Sequence, residues 1–170
     1  MAGNLPAYIL KNCTLFVDKE SKIGQTEEIT LPSVEVKTEE MQNGGMIKPR
    51  EVAFGFNTLS TSFSLSGVDP AMFDLFGIAV GKSVPIIAYG YLQDEDGQNH
   101  SARAEMTCMP KKLDLGGWKS GEKAPLGCEF AVHAFRLFVD DREIVAINDF
   151  EAAFGGVNVA PGANEALRLG

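Results

Sequence analysis

The chain has 170 residues, of which 45% are hydrophobic and 22% are charged, and its formal net charge is −8. This length predicts a single domain that buries about 70% of its unfolded surface. The acidic balance argues against a surface that grips nucleic-acid phosphates. No basic segment precedes a long apolar run, and nowhere do about 18 apolar residues run together, so we expect a soluble chain without a signal peptide or membrane anchoring.

The N-terminal part of the chain alternates like β-structure. Residues 13–18 predict a short strand, and residues 26–39 predict a longer one whose alternation changes at Pro32, which favours an edge position or a bulge there. The segment 40–50 has no periodicity and contains Asn-Gly-Gly and Pro, so it predicts a loop. Apolar residues then alternate from 52 to 65 against a row of serines, which is typical of half-exposed strands.

One helix is predicted after this region. Asp69 is placed as its N-cap and Pro70 as its first residue, and Gly77 is expected to end it. Between them lies an apolar stripe of Met72, Phe73, Leu75 and Phe76.

The second half of the chain predicts two hairpins. Strands at 84–92 and 101–109 are joined by a turn at 94–99 with an Asp-Gly pair, and a second long loop follows at 111–124 with the only tryptophan. Residues 128–149 predict two strands joined by a polar turn at 140–142.

The hairpin at 128–149 has apolar residues on both faces. Ala131, His133, Phe135 and Leu137 fall on one face by simple alternation. We therefore expect one face to pack on the core of this chain and the other to lie at a subunit boundary. Either this set or the opposite set should be the outward one and should be more exposed in a single chain. The C-terminal arm at 150–170 is Gly-rich and irregular, with a short helix expected at 163–169.

Many short strands, one helix and two long loops predict a mainly β fold, a sandwich or barrel with one packed α-helix. We see one domain over residues 1–170 and no internal repeat.

The chain offers no recognisable chemistry. The segment Gly-Ile-Ala-Val-Gly-Lys-Ser at 77–83 has three residues where a phosphate-binding loop has four, and it leaves a helix instead of entering one. The carboxylates at 94–96 miss the EF-hand spacing, and Cys128 and His133 point to opposite faces of a strand, which disfavours a shared zinc. No Ser, His and acid form a recognisable set. We expect no catalytic residue, cofactor or metal, hence no enzyme, and three reduced thiols.

Several segments, in this order, resemble the major tail tube protein of contractile-tailed phages, a family that also forms the inner tube of R-type pyocins. The resembling segments are Thr14 to Asp18, Leu31-Pro32, Gly44-Gly45-Met46, Leu113 to Glu122, Phe135-Arg136-Leu137, Asp140 to Glu143 and Leu167 to Gly170. They span essentially the whole chain.

The resemblance implies a β-sandwich subunit that assembles into hexameric rings, which stack into a hollow tube inside a contractile sheath. Its implied partners are other copies of itself, the tail sheath protein, the tape measure protein, and baseplate or tail initiator and terminator proteins. Viral DNA would pass through the lumen without specific binding. The implied place is the virion tail, assembled in the cytoplasm of the bacterial host. Two alternatives stay open: the inner tube of a headless R-type pyocin-like particle, and a β-sandwich binding module that does not polymerise.

Candidate site residues follow from this reading. We expect the loops 40–50 and 111–124 to be ring-to-ring or subunit contacts. The candidate assembly contacts are Gly44, Gly45, Met46, Trp118, Phe135 and Leu137, although Trp118 has the alternative of covering the subunit's own core. The candidate lumen carboxylates are Glu27, Glu35 and Glu105, which would repel DNA phosphates within the roughly 8 Å screening length of physiological salt.

Overall fold

The computed structural model describes residues 7–79 and 81–168, which form twelve strands and two helices. In chain order these are β1 (Ile9–Val17), β2 (Glu20–Ser21), β3 (Thr26–Thr30), β4 (Val36–Met41), β5 (Arg50–Phe56), β6 (Leu59–Leu65), α1 (Pro70–Ala79), β7 (Val84–Gln93), β8 (Asn99–Asp114), β9 (Leu126–Val139), β10 (Arg142–Ile147), β11 (Ala152–Phe154), β12 (Val157–Asn158) and α2 (Pro161–Leu167). The predicted mainly β class is confirmed.

Strand β9 is the junction of the main sheet. All pairings are antiparallel, and β8 runs along one side of β9. On the other side, β6 pairs with residues 126–132 of β9 and β10 pairs with residues 135–139. From β8 the order continues through β7, β1 and β2, and β3 pairs with β6. Strand β9, the first strand of the predicted hairpin at 128–149, is therefore central. On the side away from β8, the two halves of β9 pair with different strands.

The core lies on the inner face of this sheet. Its largest fully buried side chains come from five elements: Leu15, Leu65, Met72, Ile86, Leu126 and Phe130. The ring of Phe130 stacks on Phe63 at 5.4 Å between centroids and meets Phe76 of α1 edge-on at 5.7 Å. The helix is thus packed on the sheet through aromatic contacts, as the predicted apolar stripe requires.

A bulge in β9 corrects the predicted assignment of faces. Thr107 is opposite Ala134 and Cys108 is opposite Val132, so His133 has no partner in β8. An extra residue in one strand reverses the side-chain alternation beyond it. Phe135 consequently turns inward, while His133 is exposed.

The predicted helix start is confirmed and its predicted end is wrong. Asp69 Oδ1 accepts a hydrogen bond from the Ala71 amide at 3.0 Å, as an N-cap does. The helix passes Gly77 and ends at Ala79. Gly81, with φ of +76°, takes the left-handed conformation that follows a helix end.

The predicted strand at 26–39 is two strands in different sheets. β3 joins the main sheet, whereas β4 pairs only with β5. The segment between β3 and β4 contains Pro32. The first predicted loop is shorter than expected, since residues 40 and 41 end β4 and residue 50 begins β5. The second is displaced, because β8 continues to Asp114.

The β4–β5 hairpin is a separate two-stranded sheet. Every residue of β4 is exposed. At its base, the Phe56 ring lies 5.9 Å from Phe154 and packs against the core. Glu40 and Glu51 are directly opposite each other in the ladder. A two-stranded hairpin with free edges is marginally stable by itself, so this element lacks the support that the main sheet gives its strands.

The C-terminal arm is more regular than predicted. β11 pairs with β10 and with β12, so the arm extends the main sheet before α2 begins at Pro161. Residues 169 and 170 of the predicted arm lie outside the described residues.

Candidate functional site

The tip of the β4–β5 hairpin is a tight turn at the predicted Gly44-Gly45-Met46. The Met46 amide donates to the Asn43 carbonyl at 3.1 Å, and Gly45 has φ of +84°. Ile47, which follows, is 100% exposed. The sequence reasoning missed Ile47, although an isolated Ile among turn residues is an available signal.

Trp118 lies in the segment between β8 and β9 and is 74% exposed. Asp114 Oδ1 accepts a hydrogen bond from the Gly116 amide at 2.9 Å, which fixes the start of this segment. The alternative that Trp118 covers the subunit's own core is wrong for the single chain. Its indole is available to another surface.

Phe135 and Leu137 lie apart from these exposed residues. Phe135 is only 3% exposed, and Leu137 packs against the core from a half-buried position. The prediction that Ala131, His133, Phe135 and Leu137 share one face is wrong, because the bulge at His133 turns Phe135 inward. The alternative in which this set is outward and exposed is therefore excluded for Phe135. Both side chains hold this subunit together.

The three candidate lumen carboxylates lie on different elements. Glu27 is in β3 and pairs with Lys123 at 3.3 Å. Glu105 is in β8 and pairs with Arg103 at 3.0 Å and with Arg136 at 4.0 Å. Glu35 is exposed just before β4, and within residues 7–79 and 81–168 it forms no ion pair. Two of the three charges are therefore partly neutralised within the chain.

A polar cluster covers the outer face of β8, β9 and β10. The guanidinium carbons of Arg103 and Arg136 lie 4.4 and 4.9 Å from the Phe138 ring centroid. Arg136 Nη2 lies 2.6 Å from Glu143 Oε2, and this hydrogen bond raises the pKa of Arg136. Because the carboxylates of Glu105 and Glu143 neutralise the charges of the two arginines, this cluster links the three strands and is not suited to binding an anion.

His100 joins two hairpin turns, an arrangement we call the His100 clasp. Its Nε2 lies 3.0 Å from Asp94 Oδ2 and its Nδ1 lies 2.7 Å from Asp140 Oδ2. The Tyr8 ring lies over it at 4.6 Å. Hydrogen bonds to Asp94 and then Asp140 raise the pKa of His100, and the same imidazole lowers the pKa of both carboxyls. Through these two contacts the His100 clasp links the turn at 94–98 to the turn at 140–141.

The described residues present little chemical reactivity. Cys108 and Cys128 are buried, and burial raises the pKa of each thiol to about 12, so neither forms a thiolate readily. Across residues 7–79 and 81–168, no group of three or more His, Cys, Asp or Glu could hold a metal ion. Over the same residues, neither helix has the length and apolar character needed to cross a bilayer.

A groove opens where the hairpin base meets the C-terminal arm. It has a volume of about 630 Å³. Four separate segments line it, at 55–59, 131–133, 147–152 and 159–160, together with Met109. Its lining includes Phe150, which is 71% exposed, and Val159, which is 48% exposed.

The fold is shared with chains of extracellular contractile injection systems. It superposes on a chain of an extracellular contractile injection system described as the PVC sheath/tube terminator in its extended state, with a TM-score of 0.58 and 14% identity, covering 81% of this chain and 99% of that one. A chain of the PVC sheath-tube complex in its extended state gives a TM-score of 0.54 at 13% identity, covering 74% and 87%.

The sequence identifies the family. The model of the family described as phage tail tube protein FII matches residues 7–162, and the chain belongs to this family. The tail tube protein of Escherichia phage P2 is 29% identical over 143 residues, which cover 82% of this chain and 83% of that protein. The predicted family and its structural, non-enzymatic role in a phage-type tail are confirmed.

Proposed function

We propose that this chain polymerises as stacked hexameric rings into the inner tube of a contractile tail, the conduit for DNA ejection. The observation that carries the proposal is the β4–β5 hairpin. In this member of the tail tube family the hairpin is a separate sheet, and every residue of β4 is exposed. Unpaired strand edges and a fully exposed Ile47 favour contact with further copies. The exposed Trp118 supplies a second contact of the same kind.

The proposed partners are the tail sheath protein outside the tube, the tape measure protein inside it, and baseplate or initiator and terminator proteins at its ends. The two similar structures come from assemblies described as a sheath-tube complex and a sheath/tube terminator, which supports such neighbours. Assembly is proposed to occur in the cytoplasm of the bacterial host. The net charge of −8 suits a conduit that does not bind DNA.

Labelled electron microscopy tests this function. Antibody raised against this chain is applied to particles released from the producing cells, before and after sheath contraction. We expect label along a straight hollow core that contraction exposes, and its absence from that core would overturn the proposal. Particles with DNA-filled heads indicate a phage, and headless particles indicate a pyocin-like device.

For the lumen, we propose that exposed carboxylates keep the DNA path repulsive. Glu35 is the strongest of the three candidates because Glu27 and Glu105 already have cationic partners. Glu35→Lys is expected to slow DNA release from particles without blocking tube assembly, and the slowing should weaken as salt increases. Release at the normal rate would contradict a lumen role for Glu35.

A further inference from the structure

The groove and the hairpin tip both present apolar side chains to solvent. The groove presents an apolar wall that includes Phe150 and Val159, and both are far more exposed than a core residue. The tip presents Ile47, whose side chain is fully exposed. Large apolar side chains exposed next to a concave apolar surface indicate a binding site in a chain that self-associates.

The two surfaces are also complementary in charge. Asp149 and Glu151 stand at the rim of the groove on either side of Phe150, and both are exposed. Lys48 and Arg50 follow Ile47 at the tip and are exposed as well. In the part of the chain that the structure describes, none of these four side chains forms an ion pair. Opposite charges arranged in this way favour one docking register.

The tip of a chain cannot reach the groove of the same chain. Gly55 and Phe56, at the base of the hairpin, line the groove. A strand rises about 3.3 Å per residue, so Arg50 lies about 16 Å from Gly55 and the turn lies farther still. A tip that enters this groove must therefore belong to a second copy.

We propose that the groove receives Ile47 of a neighbouring copy, with Lys48 and Arg50 of that tip facing Asp149 and Glu151. The contact is heterologous, because a tip meets a groove and not another tip, so each copy both gives and receives one contact. Such a contact propagates from copy to copy. This inference rests on the proposed self-assembly and names the two surfaces that carry it.

A charge swap tests the register. In particle-producing cells, Lys48→Glu with Arg50→Glu, and separately Asp149→Lys with Glu151→Lys, are each expected to lower the yield of labelled tubes about tenfold, the effect of losing two exposed ion pairs and creating like-charge contacts. The fourfold variant restores opposite charges and should recover tube yield. Recovery of tube yield supports the contact. A fourfold variant whose tube yield is no higher than that of the two double variants overturns it.

A cysteine pair tests proximity. Tubes that carry Ile47→Cys with Val159→Cys should form a disulfide ladder of chains on mild oxidation. Ile47→Cys with Tyr91→Cys is the matched control, since Tyr91 is exposed at 43% on the strand β7. Ile47→Cys alone controls for the half-buried native Cys13. Normal tubes without the ladder, or a bond from Val159→Cys to another particle protein, would overturn this inference and leave the proposed function intact. Absence of the unsubstituted chain from tubes would overturn both.

The apolar contribution is separated from the charges by Ile47→Asp and Ile47→Leu. Because Ile47 is fully exposed, both variants should unfold at the same denaturant concentration as the unsubstituted chain. Ile47→Asp should reduce tube yield, and Ile47→Leu should keep it. Equal yields from the two variants would contradict insertion of this side chain into an apolar groove.

Discussion

The body of the subunit and the β4–β5 hairpin use the same secondary structure for opposite purposes. In the body, β6 buries one face completely, β7 and β9 bury one face over most of their length, and Phe130 is inaccessible to solvent. In the hairpin, both faces of β4 remain exposed. The free energy of folding therefore comes mainly from the body, while β4 contributes surface that stays exposed in the single chain.

This contrast orders the following substitutions by their effect on the stability of a single chain. The largest belongs to Phe130→Ala, which removes a ring packed between Phe63 and Phe76. We expect a loss of about 3–5 kcal/mol in the free energy of unfolding. Urea denaturation measures it, with Phe150→Ala as the matched control. The control ring is exposed, so its loss should change stability by less than about 0.5 kcal/mol. A similar loss in the free energy of unfolding in both variants would contradict the distinction between the buried body and its exposed residues.

A buried ion pair gives the next largest effect. Lys22 Nζ lies 2.6 Å from Asp69 Oδ2 and 3.3 Å from Glu20 Oε2. Burial of the ammonium opposes its charge, but the hydrogen bonds to Asp69 and Glu20 outweigh burial and raise the pKa of Lys22. Lys22→Met should cost about 2–3 kcal/mol, because it leaves the Asp69 carboxylate at the start of α1 without its cation. Lys123→Met breaks the exposed pair with Glu27 and should cost less than about 1 kcal/mol by the same denaturation assay.

The His100 clasp predicts a smaller, pH-dependent effect. Its folded-state pKa is raised, so the imidazolium contribution is fully present below the unfolded value of about 6.5 and is lost as the pH rises through the folded pKa. The pKa values of Asp94 and Asp140 are lowered, so their contribution is present above about pH 4 and is lost as the pH falls through their folded values.

Melting temperatures of the chain and of His100→Asn between pH 5 and 9 test the clasp. The difference in Tm should be greatest at the acidic end of this range and should shrink towards pH 9. His133→Asn is the control, because His133 is exposed and outside the clasp. A Tm difference independent of pH would show that His100 acts through packing against Tyr8 alone.

The smallest effect on the single chain is expected for Trp118→Ala. The exposed indole should change the free energy of unfolding by less than about 0.5 kcal/mol, yet tube formation should fall. Denaturation of purified chain and microscopy of released particles measure the two quantities. A variant that unfolds outright would assign Trp118 to the body after all.

Local patterns predicted the elements whose structure depends on local residues. Asp69-Pro70 marked the helix start, and the polar turn at 140–142 marked the β9–β10 hairpin. The bulge at His133 was not predictable from β9, because it depends on the register that β8 adopts against it. The separation of β3 from β4 was hidden by continued apolar residues at Val34 and Val36, with Pro32 as the only local signal.

The candidate site divides in the same way. The loop around the turn at 44–46 followed from composition, since its glycines stand in a segment without periodicity. For Trp118 the sequence left two alternatives open, an assembly contact or a cover for the core, and its 74% exposure in the single chain excludes the second. The groove was beyond sequence reasoning because it is assembled from segments that are distant in the chain, such as 55–59 and 131–133, which are about 75 residues apart. Phe135 was misplaced for a physical reason, namely that one unpaired residue reverses a whole strand face.

The opposed carboxylates of Glu40 and Glu51 make the hairpin sensitive to its ionic surroundings. Like charges directly across a ladder weaken pairing by roughly 0.2–1 kcal/mol, and dissolved salt reduces this penalty. In dilute buffer the two strands of a separate subunit are held together less firmly than at high ionic strength. We therefore expect the hairpin of a single chain to be better ordered at high ionic strength than in dilute buffer.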